Sequence, residues 1–369
     1  MDRYTYVFLC PRLRLATLPW PRCNALVTVK MNGRRPTSFD IAALAGVSQP
    51  TVSRALSGNR SVSEETRNKV LAAAKSLNYT VDKNASGLRT RQSRTIALLF
   101  FEDPTPDDTL INPFYLSMVG SITRACARLG YDLLISFQQL SGDWHVDYED
   151  SHKADGIMLL GYGDYMVARP RLEQLIGQGT HFVRWGAARA GQIGVTVGSD
   201  NDHGGYLAGQ HLLAGGRRSI AFLGTVSDGT PEFVERWTGF CRALAEAGIE
   251  PDPRLRVDAA PSEEAGRAAV TTLLASGAEF DAIFATSDLV ALGAMRALHD
   301  AGRHIPDDVA IVGFDDLAAA RLAEPPLSTI AQDTRTAGDT LVETLIATIG
   351  NRHPESILLP VRLVVRGSS

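Results

Sequence analysis

The sequence predicts an α/β protein in which a small three-helix unit precedes a core of two lobes, each built on a doubly wound parallel sheet. Between residues 37 and 79, apolar residues recur at helical spacing in three short stretches separated by turn residues. From Thr95 onward, short apolar stretches typical of buried strands alternate with longer amphipathic stretches typical of helices. This alternation implies parallel strands covered on both faces, and the number of units exceeds one comfortable sheet.

The three-helix unit opens with the stretch TSFDIAALAGVSQPTVSRAL. Thr37 or Ser38 can cap its first helix, Gly46 ends that helix, and Ser48 caps the second. Two short helices joined by such a turn have the geometry of a helix-turn-helix, whose second helix enters the DNA major groove. Any small helical hairpin with a glycine turn shares this spacing, so the spacing alone does not distinguish the two. A third helix follows Ser63. The expected buried residues of the unit are Ile41, Leu44, Ala45, Val52, Leu56, Val70, Ala73, Ala74 and Leu77.

Charge is distributed unevenly along the chain, which has a net charge of −4. Residues 31–94 carry 11 Lys and Arg against 4 Asp and Glu, whereas residues 95–369 have a net charge of −15. The basic segment suits contact with phosphates, and DNA would repel the acidic remainder. Because the positive charge coincides with the helix-turn-helix pattern, we favour DNA binding over an ordinary solvated surface.

The chain divides into four predicted segments. We expect residues 1–36 to be a mis-called or disordered extension, with Met31 as the natural start, and residues 83–94 to be a hinge helix or linker. Residues 37–82 form the helix-turn-helix domain and 95–369 the core. Predicted core strands are 95–101, 132–137, 156–161, 181–185, 219–224, 282–286 and 309–314. Predicted core helices lie around 115–129, 168–177, 203–214, 232–247, 263–276, 289–301 and 335–349.

Neither a membrane protein nor an enzyme is indicated. No apolar run is long enough to span a bilayer, and the four cysteines show no metal or disulfide spacing, which favours a reducing cytoplasm. The stretch from Asp143 to His152 is rich in metal-ligand residue types, but no histidine pair has the spacing of a zinc helix. We interpret it as a solvated acidic loop. No nucleophile elbow or Walker-type phosphate loop is present, and nothing calls for a cofactor.

Several motifs together carry a family resemblance. DIAALAGVSQPTVSRAL, VSEETRNKVLAAAKSLNY, NASGLR, INPFY, SDNDHGGYLAGQHLL, ATSDLVALGAMRAL, VAIVGFDD and PPLSTIAQD occur in this order. The sequence resembles the LacI/GalR (lactose-repressor and galactose-repressor) family of bacterial transcription regulators. The resemblance implies a periplasmic-binding-protein-like core, with a first lobe of about 95–198 and 330–353 and a second of about 199–329 and 354–366. It also implies a homodimer, or a dimer of dimers, on near-palindromic operator DNA, and a small effector between the lobes.

The resemblance assigns DNA contacts by position. Gln49 and Pro50 occupy the two positions that usually decide operator sequence, and Leu88 matches the hinge leucine that wedges into a base step. Val81 stands where a proline is common, and Ser86-Gly87 replace bulkier residues, so the hinge is expected to depend on DNA for its order. The DNA-binding set is Ser48, Gln49, Pro50, Thr51, Ser53, Arg54, Lys83 and Leu88.

The resemblance likewise assigns the effector site. Arg236 matches the effector-binding arginine and Asp315 the acidic ligand-binding residue, a pair suited to a polyhydroxylated ligand such as a sugar. Arg184 stands where an acid is frequent, and Ser287 where an asparagine often sits. The expected set is Arg236, Asp315, Phe114, Tyr115, Trp185, Arg184 and Ser287.

Each of these residues also has a structural interpretation. Arg236 could form a surface ion pair with Glu232 or Glu235, Asp315 could cap a helix, and the aromatic residues could be core. Two alternatives for the whole protein stay open. One is a sugar-binding module without DNA activity, and the other is a regulator that senses a non-sugar ligand such as a nucleobase.

Overall fold

The computed structural model describes residues 36–79, 92–100, 111–137, 142–161, 165–189 and 191–369. These residues form two compact units, one before and one after the gap at residues 80–91. All of the predicted extension at residues 1–36 except Pro36, and most of the predicted hinge, therefore lie outside the described residues.

The first unit contains three helices, α1 (Ser38–Ala45), α2 (Gln49–Leu56) and α3 (Glu64–Ser76). The Asp40 carboxylate accepts hydrogen bonds from the backbone N–H and the hydroxyl of Thr37, at 2.8 and 2.7 Å, and thereby fixes the start of α1. Gly46 ends α1 with a φ of +65°, a conformation that favours glycine. These local signals explain why three short helices form at the predicted positions.

The core of this unit differs from the prediction at one residue. Leu44 is 38% exposed, and Ala42 is buried instead. At about 100° per residue, Ile41, Ala45 and Ala42 span one continuous arc of α1, and Leu44 falls outside it. The other expected core residues are buried or packed against the cluster.

The second unit begins with a six-stranded sheet in the order β11-β5-β4-β3-β1-β2. All of its strand pairs are parallel. The strands are β1 (Thr95–Phe100), β2 (Asp132–Phe137), β3 (Gly156–Leu160), β4 (Phe182–Trp185), β5 (Val195–Ser199) and β11 (Ile357–Leu359). Helices α4 (Pro113–Leu129) and α11 (Thr334–Ile349) cover one face, and α5 (Tyr165–Gly177) covers the other. This sheet and its helices form the first lobe.

A second six-stranded sheet has the order β12-β10-β9-β8-β6-β7, in which only β12 is antiparallel to its neighbour. Its strands are β6 (Ile220–Leu223), β7 (Arg256–Val257), β8 (Ala282–Ala285), β9 (Ala310–Asp315), β10 (Ser328–Gln332) and β12 (Val361–Val364). Its helices are α6 (Asn201–Ala214), α7 (Pro231–Glu246), α8 (Glu263–Ser276), α9 (Asp288–Asp300) and α10 (Ala318–Leu322). The pair α6 and α7 covers one face and the pair α8 and α9 the other. Two doubly wound lobes therefore confirm the predicted fold class.

The seven predicted strands and seven predicted core helices are all present, with ends that differ by a few residues. Five of the twelve strands were not among the seven predicted ones: β5, β7, β10, β11 and β12. The first and third of these, VTVGS and STIAQ, mix polar with apolar residues, and β7 and β11 are only two and three residues long. Neither kind of stretch produces a clear strand pattern.

The predicted lobe boundaries need two corrections. Residues 330–332 were placed in the first lobe, but they complete β10 in the second sheet. Residues 357–359 were placed in the second lobe, but they form β11, which pairs with β5 of the first sheet. The chain therefore switches sheets between β11 and β12, where Pro360 alone separates the two strands. A single-residue crossover leaves no compositional signal in the sequence.

The predicted acidic loop is a π-helical turn, His145–Asp150, packed on the first lobe. Glu149 is largely buried there, and its carboxylate accepts a hydrogen bond of 2.7 Å from the His181 N–H. Across the described parts of the chain, no group of three or more His, Cys, Asp or Glu residues has an arrangement that could hold a metal ion. None of the helices in those parts combines the length and apolarity needed to cross a membrane.

The entry of the chain into the core is held by Asp155, the residue before β3. Its Oδ1 accepts hydrogen bonds from the N–H and the hydroxyl of Ser93, the latter at 2.8 Å, and its Oδ2 accepts one of 2.9 Å from the Arg94 N–H. Arg94 has a φ of +54°, and its guanidinium lies 5.3 Å from the centre of the Tyr131 ring. One carboxylate thus fixes the two residues that lead into β1.

We predict that Asp155→Ala lowers the free energy of unfolding of the core by about 1–3 kcal/mol, because it leaves three donors without their acceptor. Urea denaturation followed by tryptophan fluorescence measures this loss. Glu355→Ala, which removes an exposed carboxylate from the same unit, is the matched control and should change stability by no more than about 0.5 kcal/mol. Equal stability of the two variants would contradict the anchoring role.

Candidate DNA-binding and effector sites

The expected DNA-reading residues line one side of α2. Pro50 and Arg54 are exposed, and Thr51 and Ser53 are partly exposed, while Val52 faces the core. The hydroxyls of Ser48 and Thr51 lie 2.8 Å apart at the start of the helix. A polar, accessible helix face of this size fits the width of a major groove.

Two features of this unit were not visible in the sequence pattern. The amide of Gln49 donates a 3.2 Å hydrogen bond to the Ser38 hydroxyl of α1, so that its side chain is held against the first helix. Phe39, which follows Ser38 on α1, is 71% exposed and is the most exposed large apolar side chain among the described residues of the unit. Since Ser38 contacts Gln49, the neighbouring Phe39 lies at the end of α1 that adjoins α2. The remaining expected contacts, Lys83 and Leu88, lie outside the described residues.

Arg236 lies in the second lobe, on α7, and only 1% of its surface is exposed. Its Nε donates to Asn201 Oδ1 at 2.9 Å, and its Nη1 donates to the Thr286 carbonyl. The guanidinium carbon is 3.7 Å from the centre of the Phe314 ring. This burial excludes the alternative of a surface ion pair with Glu232 or Glu235. Burying a cation is costly unless it is hydrogen-bonded, and these contacts hold the guanidinium in one orientation.

Asp315 is the last residue of β9, with a φ of +121° and 3% exposure. Its Oδ1 accepts a 2.7 Å hydrogen bond from the Gln332 amide, whereas its Oδ2 is buried and has no hydrogen-bond partner. The N-cap of the nearby α10 is Leu317, which excludes the capping alternative for Asp315. A buried acceptor oxygen without a donor costs free energy and is available to a ligand hydroxyl.

A second buried carboxyl adjoins the first. Asp288 accepts hydrogen bonds from the Thr329 hydroxyl at 2.6 Å and from the Leu317 N–H at 2.7 Å. Burial raises the pKa of Asp288 well above its usual range, and the charge of Asp315 raises it further. Burial also raises the pKa of Asp315 to about 7, although the charge of Arg236, the hydrogen bond from Gln332 and the backbone N–H of Asp288 lower it. The Asp315 carboxyl therefore titrates near neutral pH.

The three expected aromatic residues meet at the carboxyl edge of the first sheet. The Phe114 ring lies 5.4 Å from that of Tyr115 and 5.9 Å from that of Trp185, between ring centres. All three are buried in the apolar cluster of the first lobe, and Leu317 of the second lobe belongs to the same cluster. The rings therefore serve as core and also reach the contact between the lobes.

Arg184 and Ser287 do not join this group. Arg184 precedes Trp185 on β4, so its side chain emerges on the opposite face of the sheet, where its guanidinium lies 5.1 Å from the centre of the Tyr165 ring. Ser287 is the N-cap of α9, and its hydroxyl accepts a 3.3 Å hydrogen bond from the Val290 N–H. The structure gives both residues local structural partners.

A cavity of about 680 Å³ lies where the chain crosses between the lobes. It is lined by Asp315 and Gln332 of the second lobe, by Pro113 of the first, and by Thr334 and Pro360 at the crossings. Arg236 and the three aromatic residues are not part of its lining. Among the expected effector residues, only Asp315 borders this cavity.

The geometry agrees with comparisons to known proteins. Residues 39–82 match the family described as bacterial regulatory proteins, lacI family, and residues 210–369 match the periplasmic binding protein-like domain. The transcriptional regulator CelR of Thermobifida fusca is 34% identical over 347 residues, which is 91% of this chain and 98% of CelR. The ribose operon repressor of Haemophilus influenzae is 33% identical over 340 residues, covering 90% of this chain and 98% of the repressor. The chain belongs to the LacI family.

Solved structures of LacI-family proteins have the same fold. The lac repressor dimer, bound to operator and an anti-inducer, aligns with a TM-score of 0.77 at 27% identity and covers 91% of this chain and 99% of the repressor chain. The CelR–cellobiose complex aligns with a TM-score of 0.68 at 32% identity and covers 91% and 100%. This LacI-family chain is therefore a DNA-binding transcriptional regulator and not an enzyme.

Sequence reasoning overlooked the residues that hold the expected ligand groups in place. Asn201 orients Arg236, and Gln332 orients Asp315. Asn201 follows β5 and Gln332 ends β10, both of which were missed as strands. Polar residues at the carboxyl ends of parallel strands are the signal that would have identified them.

We predict that Asp315→Asn changes the pH dependence of stability. Since an unfolded aspartate titrates near pH 4, the folded wild type binds more protons than the unfolded chain between about pH 4 and pH 7. Its free energy of unfolding therefore falls as the pH rises through this range, and the variant loses this contribution. The stability of the wild type minus that of the variant should decrease from about pH 5 to about pH 7.5 in urea denaturation.

Asp333→Asn is the matched control. Hydrogen bonds from Thr336 lower the pKa of Asp333, so its contribution is lost only at pH values below this window. The corresponding difference for Asp333→Asn should be flat between about pH 5 and pH 7.5. A flat difference for Asp315→Asn as well would show that its carboxyl is ionised throughout.

Proposed function

We propose that this LacI-family regulator is a repressor that binds near-palindromic operator DNA as a homodimer and is switched by a small carbohydrate held between its lobes. The observation that carries the effector half is the buried Oδ2 of Asp315, which has no donor although Arg236 lies close enough to lower the pKa of this carboxyl. A polyol supplies the missing donor through a hydroxyl and offers acceptors to the guanidinium.

DNA recognition is assigned to the exposed side of α2. Gln49 can pair with an adenine edge, while Pro50 offers only apolar contact, for example to a thymine methyl. The set comprises Ser48, Gln49, Pro50, Thr51, Ser53 and Arg54, with Lys83 and Leu88 from the linker. Phe39, exposed beside them, extends this surface.

The effector site is assigned to Arg236, Asp315, Phe114, Tyr115 and Trp185. Aromatic rings at the carboxyl edge of the first sheet can stack on the CH faces of a sugar. Two solved relatives support a sugar: CelR was solved with cellobiose, and a LacI-family regulator from Enterococcus faecium with ribose, at 26% identity and a TM-score of 0.63. The ligand positions of Arg184 and Ser287 receive no support from their local contacts.

A homodimer is supported by the edge of the first sheet. Strand β2 ends the sheet and exposes Leu134, Ile135 and Phe137. Proteins usually protect such edges with charges or a covering element, and a second copy of the chain is the cover that a two-fold operator requires. The lac repressor was solved as a dimer on its operator. Two identical heads then read two half-sites. We place this activity in the cytoplasm, where operator DNA is found.

The proposal is tested by selecting binding sites from random double-stranded DNA with the purified protein. Affinity for the selected site is then measured by fluorescence anisotropy at one fixed salt concentration, since phosphate contacts make affinity salt-dependent. The panel of additives contains cellobiose, ribose, other mono- and disaccharides, and nucleobases. A selective site whose affinity one sugar changes is the expected result. A response to a nucleobase alone would replace the carbohydrate, and no selective site would contradict the repressor function.

We predict that Arg236→Ala abolishes the response to the effector while operator affinity without effector stays unchanged. The substitution removes the cation from the site but lies in the second unit, whereas α2 belongs to the first. Anisotropy with and without the effective sugar measures both quantities. Arg242→Ala, on the exposed side of the same helix, is the control and should respond normally. A normal response from Arg236→Ala would remove this residue from the effector site.

We also predict that Arg54→Ala weakens binding to the selected operator by about 1–3 kcal/mol, because a guanidinium that pairs with a guanine edge contributes about that much. Binding to random DNA should change far less. Lys75→Ala removes a charge from α3 of the same unit and controls for electrostatics. Equal losses on operator and random DNA would instead identify Arg54 as a phosphate contact.

A further inference from the structure

The segment between β4 and β5, residues 186–189 and 191–194, reaches from the first lobe to the second; we call it the β4–β5 loop. The Ala187 N–H donates a 2.8 Å hydrogen bond to Glu232 Oε1, and Arg189 Nε lies 2.7 Å from Glu235 Oε1. Both carboxylates are on α7, the helix of Arg236. The loop is therefore joined by a hydrogen bond and an ion pair to the helix that carries the expected effector arginine.

The side chain of Arg184 fixes the conformation of the β4–β5 loop through hydrogen bonds. This side chain is buried at 5% exposure and donates to the carbonyls of Ile193 and Ala187, at 3.3 and 3.4 Å, and to the side chain of Gln192. Burial lowers the pKa of Arg184, while the charge of Glu232 acts in the opposite direction. The three acceptors on the β4–β5 loop and the Glu232 carboxylate of the other lobe offset the cost of removing this guanidinium from water.

Tyr165, at the start of α5, provides a further contact between the lobes. Its hydroxyl accepts a 3.2 Å hydrogen bond from the Ile193 N–H, and its own N–H donates a 3.0 Å hydrogen bond to the Gly229 carbonyl. Gly229 lies in the loop just before α7. The β4–β5 loop and the start of α5 thus contact the same end of α7.

The contacts continue to Arg236 through two side chains. Glu235 accepts a 3.3 Å hydrogen bond from the Asn201 amide, whose oxygen accepts from Arg236 Nε at 2.9 Å. Burial raises the pKa of Glu235, and its ion pair with Arg189 lowers it. Arg189 of the first lobe therefore helps to keep Glu235 ionised beside Asn201.

We propose that Arg184 is a positioning residue of the effector site: it shapes the β4–β5 loop so that Ala187 and Arg189 clasp α7, hold the lobes closed and fix the orientation of Arg236. Arg184 itself does not contact the effector. We call the Ala187–Glu232 and Arg189–Glu235 contacts the clasp. The effect on effector affinity rests on the proposed function, but the clasp does not. The clasp is therefore tested without effector or DNA.

The test uses hydrogen–deuterium exchange of the ligand-free, full-length protein, read at the Tyr165 amide by fragmentation that resolves single residues. This amide is protected by a bond to the other lobe and is not in the clasp itself, so loosening of the loop alone does not expose it. Arg189→Glu and Glu235→Arg should each speed its exchange by about threefold to tenfold, because opening of the lobes precedes exchange. The double variant Arg189→Glu/Glu235→Arg should restore slow exchange.

The ion pair between Arg242 and Asp202 is the matched control. It joins α7 to α6 within the second lobe at 2.5 Å, and its partners are also partly exposed. Arg242→Glu removes a charge pair of the same kind from the same helix and should leave the Tyr165 amide protected. Faster exchange in this control would attribute the effect to general loosening of α7 and would overturn the clasp.

Arg184 is tested by Arg184→Lys, which keeps the charge but loses the fork that bonds two carbonyls and a side chain. We expect faster exchange at Tyr165, as in the single charge reversals. If the lysine variant does not fold, Gln192→Ala is used instead. It removes only the bond between Arg184 and Gln192, so it should accelerate exchange at Tyr165 by a smaller factor. Unchanged exchange at Tyr165 in the folded variants would overturn the positioning role. Failure of the double variant Arg189→Glu/Glu235→Arg to restore slow exchange would overturn the clasp between the lobes.

Discussion

The polypeptide crosses between the two sheets three times, after β5, after β10 and at Pro360 between β11 and β12. The first and third crossings lie close together, since the Asp200 N–H donates a 2.8 Å hydrogen bond to the Leu359 carbonyl. Three covalent connections therefore join the two lobes. Gln332, which orients Asp315, is the last residue before the second crossing. The carboxyl that we propose meets the effector is thus bonded directly to a segment that crosses between the lobes.

Buried charge is concentrated at the contact between the lobes. Arg184 belongs to the first lobe and Arg236 to the second, and Asp288 and Asp315 lie beyond Arg236. Such groups rarely add stability, because desolvation offsets most of their attraction, but they penalise any arrangement that leaves one of them without partners. Within this group and among the described residues, only Asp315 Oδ2 is buried without a hydrogen-bond partner, so its desolvation cost is not offset. Under the proposed function, a ligand hydroxyl at this oxygen would relieve the penalty, and a switch requires that this gain differ between two arrangements of the lobes.

Much of the fold could be predicted from sequence because its signals are local. The capping residues of α1, the glycine after it and the seven predicted apolar strands each express their structure within a few residues. The lobe boundaries could not be predicted this way, because β10 and β11 owe their sheet membership to partners far away in the chain. For the same reason the sequence indicated Arg236 and Asp315 by motif but not their supports. Asn201 and Gln332 become recognisable only when the strand ends are known. The family resemblance placed Arg184 and Trp185 in one effector set, whereas alternation along β4 sends the two side chains to opposite faces of the sheet.

The carboxylate of Asp155 has a mechanical consequence. Because it bonds both residues that precede β1, the core begins at a point fixed to the loop before β3, inside the first lobe. Ser93 and Arg94 therefore move with that lobe as part of one rigid body. If the first lobe rotates, as the proposed switch requires, the point at which the core begins would be displaced by the full motion of that lobe. One aspartate would thus couple the start of the core to the first lobe.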